Sequence, residues 1–183
     1  GKTLFSGLLL VPMIMPPFVG AIGLQRFFAR FGSVNVFLIE KGIINTPIDW
    51  LGDENMFWAV VILEVLHLYP IMYLNLSAAI ANIDPSLNEM ALTLGTSRFK
   101  RYKDILWPLV MPGFISGATI IFIWAFTDLG TPLLVGYHST VPVYIFNMIT
   151  DINENPMGFA LVFVVIAITT SLFLLSKTFV RGN

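Results

Sequence analysis

The sequence predicts an all-α integral membrane protein, and three observations carry that prediction. Of 183 residues, 56% are hydrophobic and only 11% charged, with a mean hydropathy of +0.82; soluble domains carry about 25% charge. A water-soluble chain this apolar would have too little polar surface to show, which excludes most soluble enzymes. Second, the chain holds four apolar runs of about the 20 residues that a helix needs to cross hydrocarbon. Third, those runs are continuous, whereas a barrel would alternate. A net charge of −1 gives no electrostatic case for nucleic acid. With no cysteine, disulfides, thiol catalysis and cysteine-ligated metal clusters are removed as well.

The spans are read at about residues 4–24, 56–80, 105–126 and 157–176, in one transmembrane domain covering 1–183. The second has Glu64 as its one formal charge, and the others have none. Gly1-Lys2-Thr3 spells the end of a phosphate-binding loop, but the upstream glycine is missing and a span follows, so the match is chance. The opening Gly1 and the abrupt end at Asn183 set the expectation of a piece of a longer polypeptide. Pro12, Pro16, Pro17, Pro70, Pro108 and Pro112 fall in or at the ends of spans. Each removes a backbone donor and tends to bend its helix, as an ordinary kink or as part of a path that opens and closes.

Orientation follows from lysine and arginine. Lys2, Arg98, Lys100, Arg101, Lys103, Lys177 and Arg181 share one side, against Arg26, Arg30 and Lys41 on the other. The loop 81–104 is therefore cytoplasmic. Outside, residues 26–55 are too polar to span yet hold Phe27, Phe28, Phe31 and an apolar run at 36–39, which predicts a segment along the interface. Residues 139–150 are apolar but too short to cross, and predict a re-entrant or surface helix.

The cytoplasmic segment 84–108 reads DPSLNEMALTLGTSRFKRYKDILWP. Asp84 before Pro85 predicts a capped helix start, with Ser86 and Glu89 as an overlapping capping box. Leu87, Met90, Ala91 and Leu94 fall at i, i+3, i+4 and i+7, one helical face. Gly95 suits a left-handed terminator, and Ser97 caps a second helix carrying Phe99, Tyr102 and Leu106 amid basic residues. An apolar face on such a loop is covered either by a partner or by the chain's own spans.

Within the spans, Glu64, Ile71, Asn75 and Asn82 project in roughly one direction, with His67 near Glu64. Ionisable groups inside a membrane face a cavity or a partner. Glu64 and His67, at i and i+3, are candidates to pair, relay a proton or touch a cation; hydrogen bonding between helices is the plainer role. Two donors do not make a metal site, so neither metal nor cofactor is expected, nor a catalytic site. Asp128, Thr131 and Pro132 are candidates for an outer gate or for plain turn residues. Glu64, His67, Asn75, Asp128 and Thr131 thus form the candidate translocation path. The prolines and the Glu64–His67 pair leave an ion-coupled secondary transporter as the alternative, but the two-helix loop has no place in it.

Glu89-Met90-Ala91, Gly95, Ile105 and Pro108 resemble the EAA signature of binding-protein-dependent ABC importer permeases. Met90 replaces its first alanine and Trp107 stands where leucine is usual. Pro16-Pro17-Phe18-Val19-Gly20, Gly42-Ile43-Ile44-Asn45 and the stretch DLGTPLLVG at 128–136 resemble the ferric-iron-type branch. The resemblance implies a type I importer transmembrane core with kinked helices and a cytoplasmic coupling helix. Leu87, Met90, Ala91 and Leu94 would fill a groove in an ATP-binding subunit, Glu89 would pair with a basic residue there, Gly95 would set an elbow and Pro108 would begin the next span. The implied partners are two ATP-binding subunits, a second permease unit (identical, similar or fused) and an extracytoplasmic substrate-binding protein. The implied place is the bacterial or archaeal inner membrane, and the implied cargo is ferric iron, with phosphonate, thiamine, polyamine or sulfate permeases alike at this depth.

Overall fold

A computed structural model describes residues 2–52, 55–150 and 156–181, which are helices and connections with no strand among them. The chain divides into two compact units, Gly1–Leu68 with Ala125–Val164, and Tyr69–Trp124 with Val165–Asn183. Among the described residues, three helices are long and apolar enough to cross a membrane, Met56–Ala81, Arg98–Thr127 and Met157–Val180; a bent pair before them makes up to four.

In the first unit, the opening apolar run is not one straight rod. Helix α1 (Lys2–Ile14) stops before Pro16, and α2 (Pro17–Phe28) starts on Pro17. The two directions differ by 90°. The cause is local: Pro17 forces the residue before it out of helical geometry, and Pro16 sits at φ −56°, ψ 141°. Pro17 itself is well placed, since the first turn of a helix has no use for its missing N–H.

Helix α3 (Ser33–Glu40) lies in the outer segment read as interfacial. Its Asn35 is 1% exposed. The side-chain nitrogen donates to the carbonyls of Arg30 at 3.0 Å and Ile48 at 2.7 Å. The side-chain oxygen accepts from the Ile48 amide and the Trp50 indole, each at 3.1 Å. One asparagine thus ties the start of α3 to the stretch that leads into α4 (Met56–Ala81).

Helices α2, α4 and α8 (Gly130–Val135) meet around Ala21, Ala59, Val60, Leu63 and Val135. Lipid tails are as apolar as these side chains, so leaving water contributes little here. Close contact between small residues carries the association instead. The Gln25 side chain adds a polar tie, donating to the Leu134 carbonyl. Gly136, at φ +89°, ends α8 in the left-handed region. Helix α9 (Val141–Thr150) is the short apolar helix expected outside, ten residues long. Gly158, in the first turn of α10 (Met157–Arg181), lies against it; a Cβ there would stand 3.2 Å from the Met148 Cβ.

In the second unit, the later part of α4 packs on α7 (Trp107–Thr127) across two glycines. A Cβ at Gly113 would stand 2.6 Å from the Ala79 Cβ and 3.0 Å from the Asn75 carbonyl oxygen. One at Gly117 would stand 3.2 Å from the Asn75 Cβ and the Met72 sulfur. Four residues apart, these glycines form one smooth strip, the spacing that lets membrane helices approach closely.

Candidate functional site

The loop that follows α4 is built from its caps inward. The Asp84 carboxylate accepts from the Ser86 amide at 2.9 Å, with Pro85 next, so helix α5 (Pro85–Thr93) begins at Asp84 rather than at the overlapping Ser86 box. That bond holds the Asp84 carboxyl below its usual range. At the other end Gly95 adopts φ +68°, and the Gly95 and Thr96 amides turn back to the Leu92 and Ala91 carbonyls at 3.0 and 3.1 Å. These bonds satisfy carbonyls that a helix end would leave bare. The Ser97 hydroxyl then accepts from the Lys100 amide at 3.3 Å and caps α6 (Arg98–Arg101).

Between α6 and α7, residues Tyr102–Leu106 form a wide π-helical turn in which the Trp107 amide reaches back to the Tyr102 carbonyl. Pro108 accounts for it. A proline has no N–H for the carbonyl four residues back, and its ring would strike that group, here the carbonyl of Asp104. One widened turn relieves the clash.

The expected apolar face is present but divides. Leu94 is 81% exposed and Met90 52%, with Leu87 at 36%, whereas Ala91 is 4% exposed. Ala91 is therefore buried rather than displayed beside its stripe neighbours. Leu92, at 55%, widens the exposed apolar surface instead. Glu89 is exposed on the same helix.

At the other candidate site, the Asp128 carboxylate accepts from the Gly130 amide at 3.1 Å and the Thr131 amide at 2.9 Å, fixing the start of α8. Thr131 is 1% exposed. The Glu64 side chain hydrogen-bonds those of Asp128 and Thr131. So the structure brings three of the five path candidates together within one unit. His67 is not a fourth: it lines an apolar cavity of about 290 Å³ with Pro12, Pro16, Pro17 and Leu66. The i, i+3 spacing puts His67 about 60° round the helix from Glu64. Asn75 lies in the other unit, where its amide nitrogen donates to the Ile71 carbonyl of its own helix at 2.9 Å. Among the described residues no group of three His, Cys, Asp or Glu is placed to hold a metal.

Two structural centres escaped the sequence reading. The strip of Gly113 and Gly117 was readable as a small-xxx-small pattern. Asn35 offered one signal, an amide inside an otherwise apolar stretch.

Several apolar helices, a capped two-helix loop between two of them and a set of buried polar groups describe a multi-pass membrane protein. Over residues 1–182 the chain matches the family of binding-protein-dependent transport system inner membrane components, and it belongs to that family. The ferric transport system permease protein FbpB of Actinobacillus pleuropneumoniae is 30% identical over 137 residues, 74% of this chain and 19% of that one. The spermidine/putrescine transport system permease protein PotB of Haemophilus influenzae is 34% identical over 123 residues, 65% of this chain and 42% of that one. The chain thus spans about a fifth of the ferric relative and well under half of the polyamine relative. A bacterial ABC transporter involved in the import of the acidic polysaccharide alginate shares the fold. Its TM-score is 0.75 at 16% identity, over 99% of this chain and 66% of that one.

Proposed function

We propose that residues 1–183 form a permease domain which lines the substrate path and couples it to ATP hydrolysis in partner subunits. The observation that carries the reading is α5: a helix capped at both ends, set between two spans, with Leu94 81% exposed and Met90 and Leu92 more than half exposed. An apolar face of that kind on a water-facing loop is suited to a groove in another protein. Leu87, Met90, Leu92 and Leu94 would enter the groove and Glu89 would pair with a basic residue of the ATP-binding subunit. Ala91 would support the helix from behind, Gly95 would fix the elbow and Pro108 would pass motion into α7.

Closure of two ATP-binding subunits around nucleotide would draw two such loops together, one from this domain and one from a second permease unit. The path would then favour its outward-facing state, in which a loaded substrate-binding protein docks on the outer segments at 26–52 and 128–150. Such a shift requires nucleotide and binding protein to bind the two states unequally. Glu64, Asp128 and Thr131 would form the polar part of an outer gate. The name of the ferric relative supports ferric iron as the cargo, beside relatives named for polyamine and molybdenum transport.

The test is co-purification of the full-length permease with an ATP-binding subunit from its host's membrane extract, beside the Glu89→Arg, Leu94→Asp variant. Retention by the native protein and loss by the variant supports the reading. An ATPase that binds both equally overturns it, and substrate uptake that follows an ion gradient without ATP favours a secondary transporter.

A further inference from the structure

A cavity of about 430 Å³ lies beside the cytoplasmic loop, wholly within the second unit. Its walls are of two kinds. Ile80, Ile83, Leu87, Ile105 and Leu106 are aliphatic, while Arg98 and Arg101 bring two guanidinium groups. The Nη1 of Arg101 is buried and has no hydrogen-bond partner, although a buried cationic donor left unmatched is costly. One acid also borders the cavity, Asp84, but its Oδ1 is already engaged with the Ser86 amide.

The location decides what such a cavity suits. Ile80 stands in the last turn of α4, and the helix that runs from Arg98 to Thr127 begins at the cavity. The cavity therefore opens where two spans end, on the side that the lysine and arginine count places in the cytoplasm. Its aliphatic wall continues onto the spans, and Ile80 is 51% exposed. The π-helical turn of Tyr102–Leu106 directly follows Arg101 and shifts the register between the arginines and α7.

We propose that this cavity binds an anionic membrane phospholipid, with the phosphate held by Arg101 and Arg98 and an acyl chain along Ile80, Ile83 and Ile105. The guanidinium fork matches a phosphate with paired hydrogen bonds, and basic pockets at the cytoplasmic ends of membrane helices suit anionic headgroups. A zwitterionic lipid would bring its own cation beside the two arginines, and a free phosphate would leave the aliphatic wall bare. The site goes beyond the coupling role of α5 and does not depend on it.

The test uses the full-length permease complex in detergent, titrated with dioleoylphosphatidylglycerol and followed by native mass spectrometry. Dioleoylphosphatidylcholine and inorganic phosphate serve as parallel probes. One phosphatidylglycerol per copy of this site should bind in preference to phosphatidylcholine. The Arg101→Gln variant should weaken it about fivefold, and the Arg98→Gln, Arg101→Gln double variant about thirtyfold. Lys100→Gln, on the same basic stretch but outside the cavity, should change it less than twofold. Equal loss in Lys100→Gln would show a diffuse surface field and overturn the site. So would equal binding of phosphatidylcholine, or displacement of the lipid by inorganic phosphate at matched concentration. Because the arginine variants are open to misfolding, the native complex is also labelled with a photoactivatable phosphatidylglycerol. Adducts should map to residues 80–106. Adducts confined elsewhere, or an Arg101 cross-link to the ATP-binding subunit in place of lipid, would likewise overturn it.

Discussion

Replacing Gly113 by alanine adds one methyl group at the tightest helix crossing in the second unit. The new Cβ would stand 2.6 Å from the Ala79 Cβ, where carbon atoms rest at about 3.5–4.0 Å. The second close atom, 3.0 Å away, is the Asn75 carbonyl oxygen, which is backbone and cannot swing aside. The two helices must therefore part by about 1 Å, and a gap of that size forfeits a quarter to a half of each dispersion contact along the seam. Overpacking of this kind costs about 1–3 kcal/mol, and for a chain of this length each kcal/mol lowers the melting temperature by about 2–4 °C. Gly113→Ala should thus melt about 2–12 °C below the native permease, in the same detergent. Gly117→Ala, whose neighbours at 3.2 Å are the side chains of Asn75 and Met72, should lose less. Gly7→Ala, with nothing within 4 Å, should be unchanged or slightly more stable, since alanine is the better helix former. Equal melting of Gly113→Ala and Gly7→Ala would refute the close-packed strip.

Asn35→Ala should cost about 1–3 kcal/mol, because it leaves buried carbonyls and an indole N–H unmatched; faster proteolysis between residues 29 and 50 would check it. Asp84→Ala should fray α5, seen as faster hydrogen exchange at the Ser86 amide. The folded-state acidity of Asp84 is depressed, so its contribution is fully present above the ordinary carboxylate range and is lost as pH falls through the lowered value. A carbon-detected titration of a labelled Asp84 carboxyl should accordingly have its midpoint below that of the same aspartate in an unstructured loop peptide. Glu64→Leu should destabilise the permease by about 1–3 kcal/mol through loss of the ties to Asp128 and Thr131, whereas Glu64→Gln should retain most of its stability; equal melting of the two would remove Glu64 from that cluster.

The all-helical membrane class was legible because hydrophobic length is a direct physical requirement of the bilayer. So were the caps at Asp84 and Ser97 and the turn at Gly95, each set by chemistry within a few residues. The course of the first apolar run was not. Hydropathy records how apolar residues 4–24 are, and is blind to the change of direction that Pro16 and Pro17 impose. The stripe of Leu87, Met90, Ala91 and Leu94 showed which residues share a side of α5, but Ala91 is buried and the leucines are exposed. Periodicity does not say what stands opposite. For the path candidates, local spacing suggested Glu64 with His67, while the hydrogen bonds of Glu64 go to Asp128 and Thr131, far along the chain. A helix brought in from elsewhere was decisive there, and no neighbouring residue signals it.

The asparagine hub in the outer segment has a practical consequence for protein engineering. Because Asn35 bonds to Ile48 and Trp50 directly, the intervening stretch around Gly42, whose φ is +66°, is closed at its base like a loop drawn tight by a knot. Lengthening a loop whose ends are already held costs little, growing only slowly with the residues added. A short epitope or a fluorophore-binding tag placed at Gly42 should therefore leave the helices undisturbed, giving a reporter on the outer face from which topology and docking can be followed in intact cells.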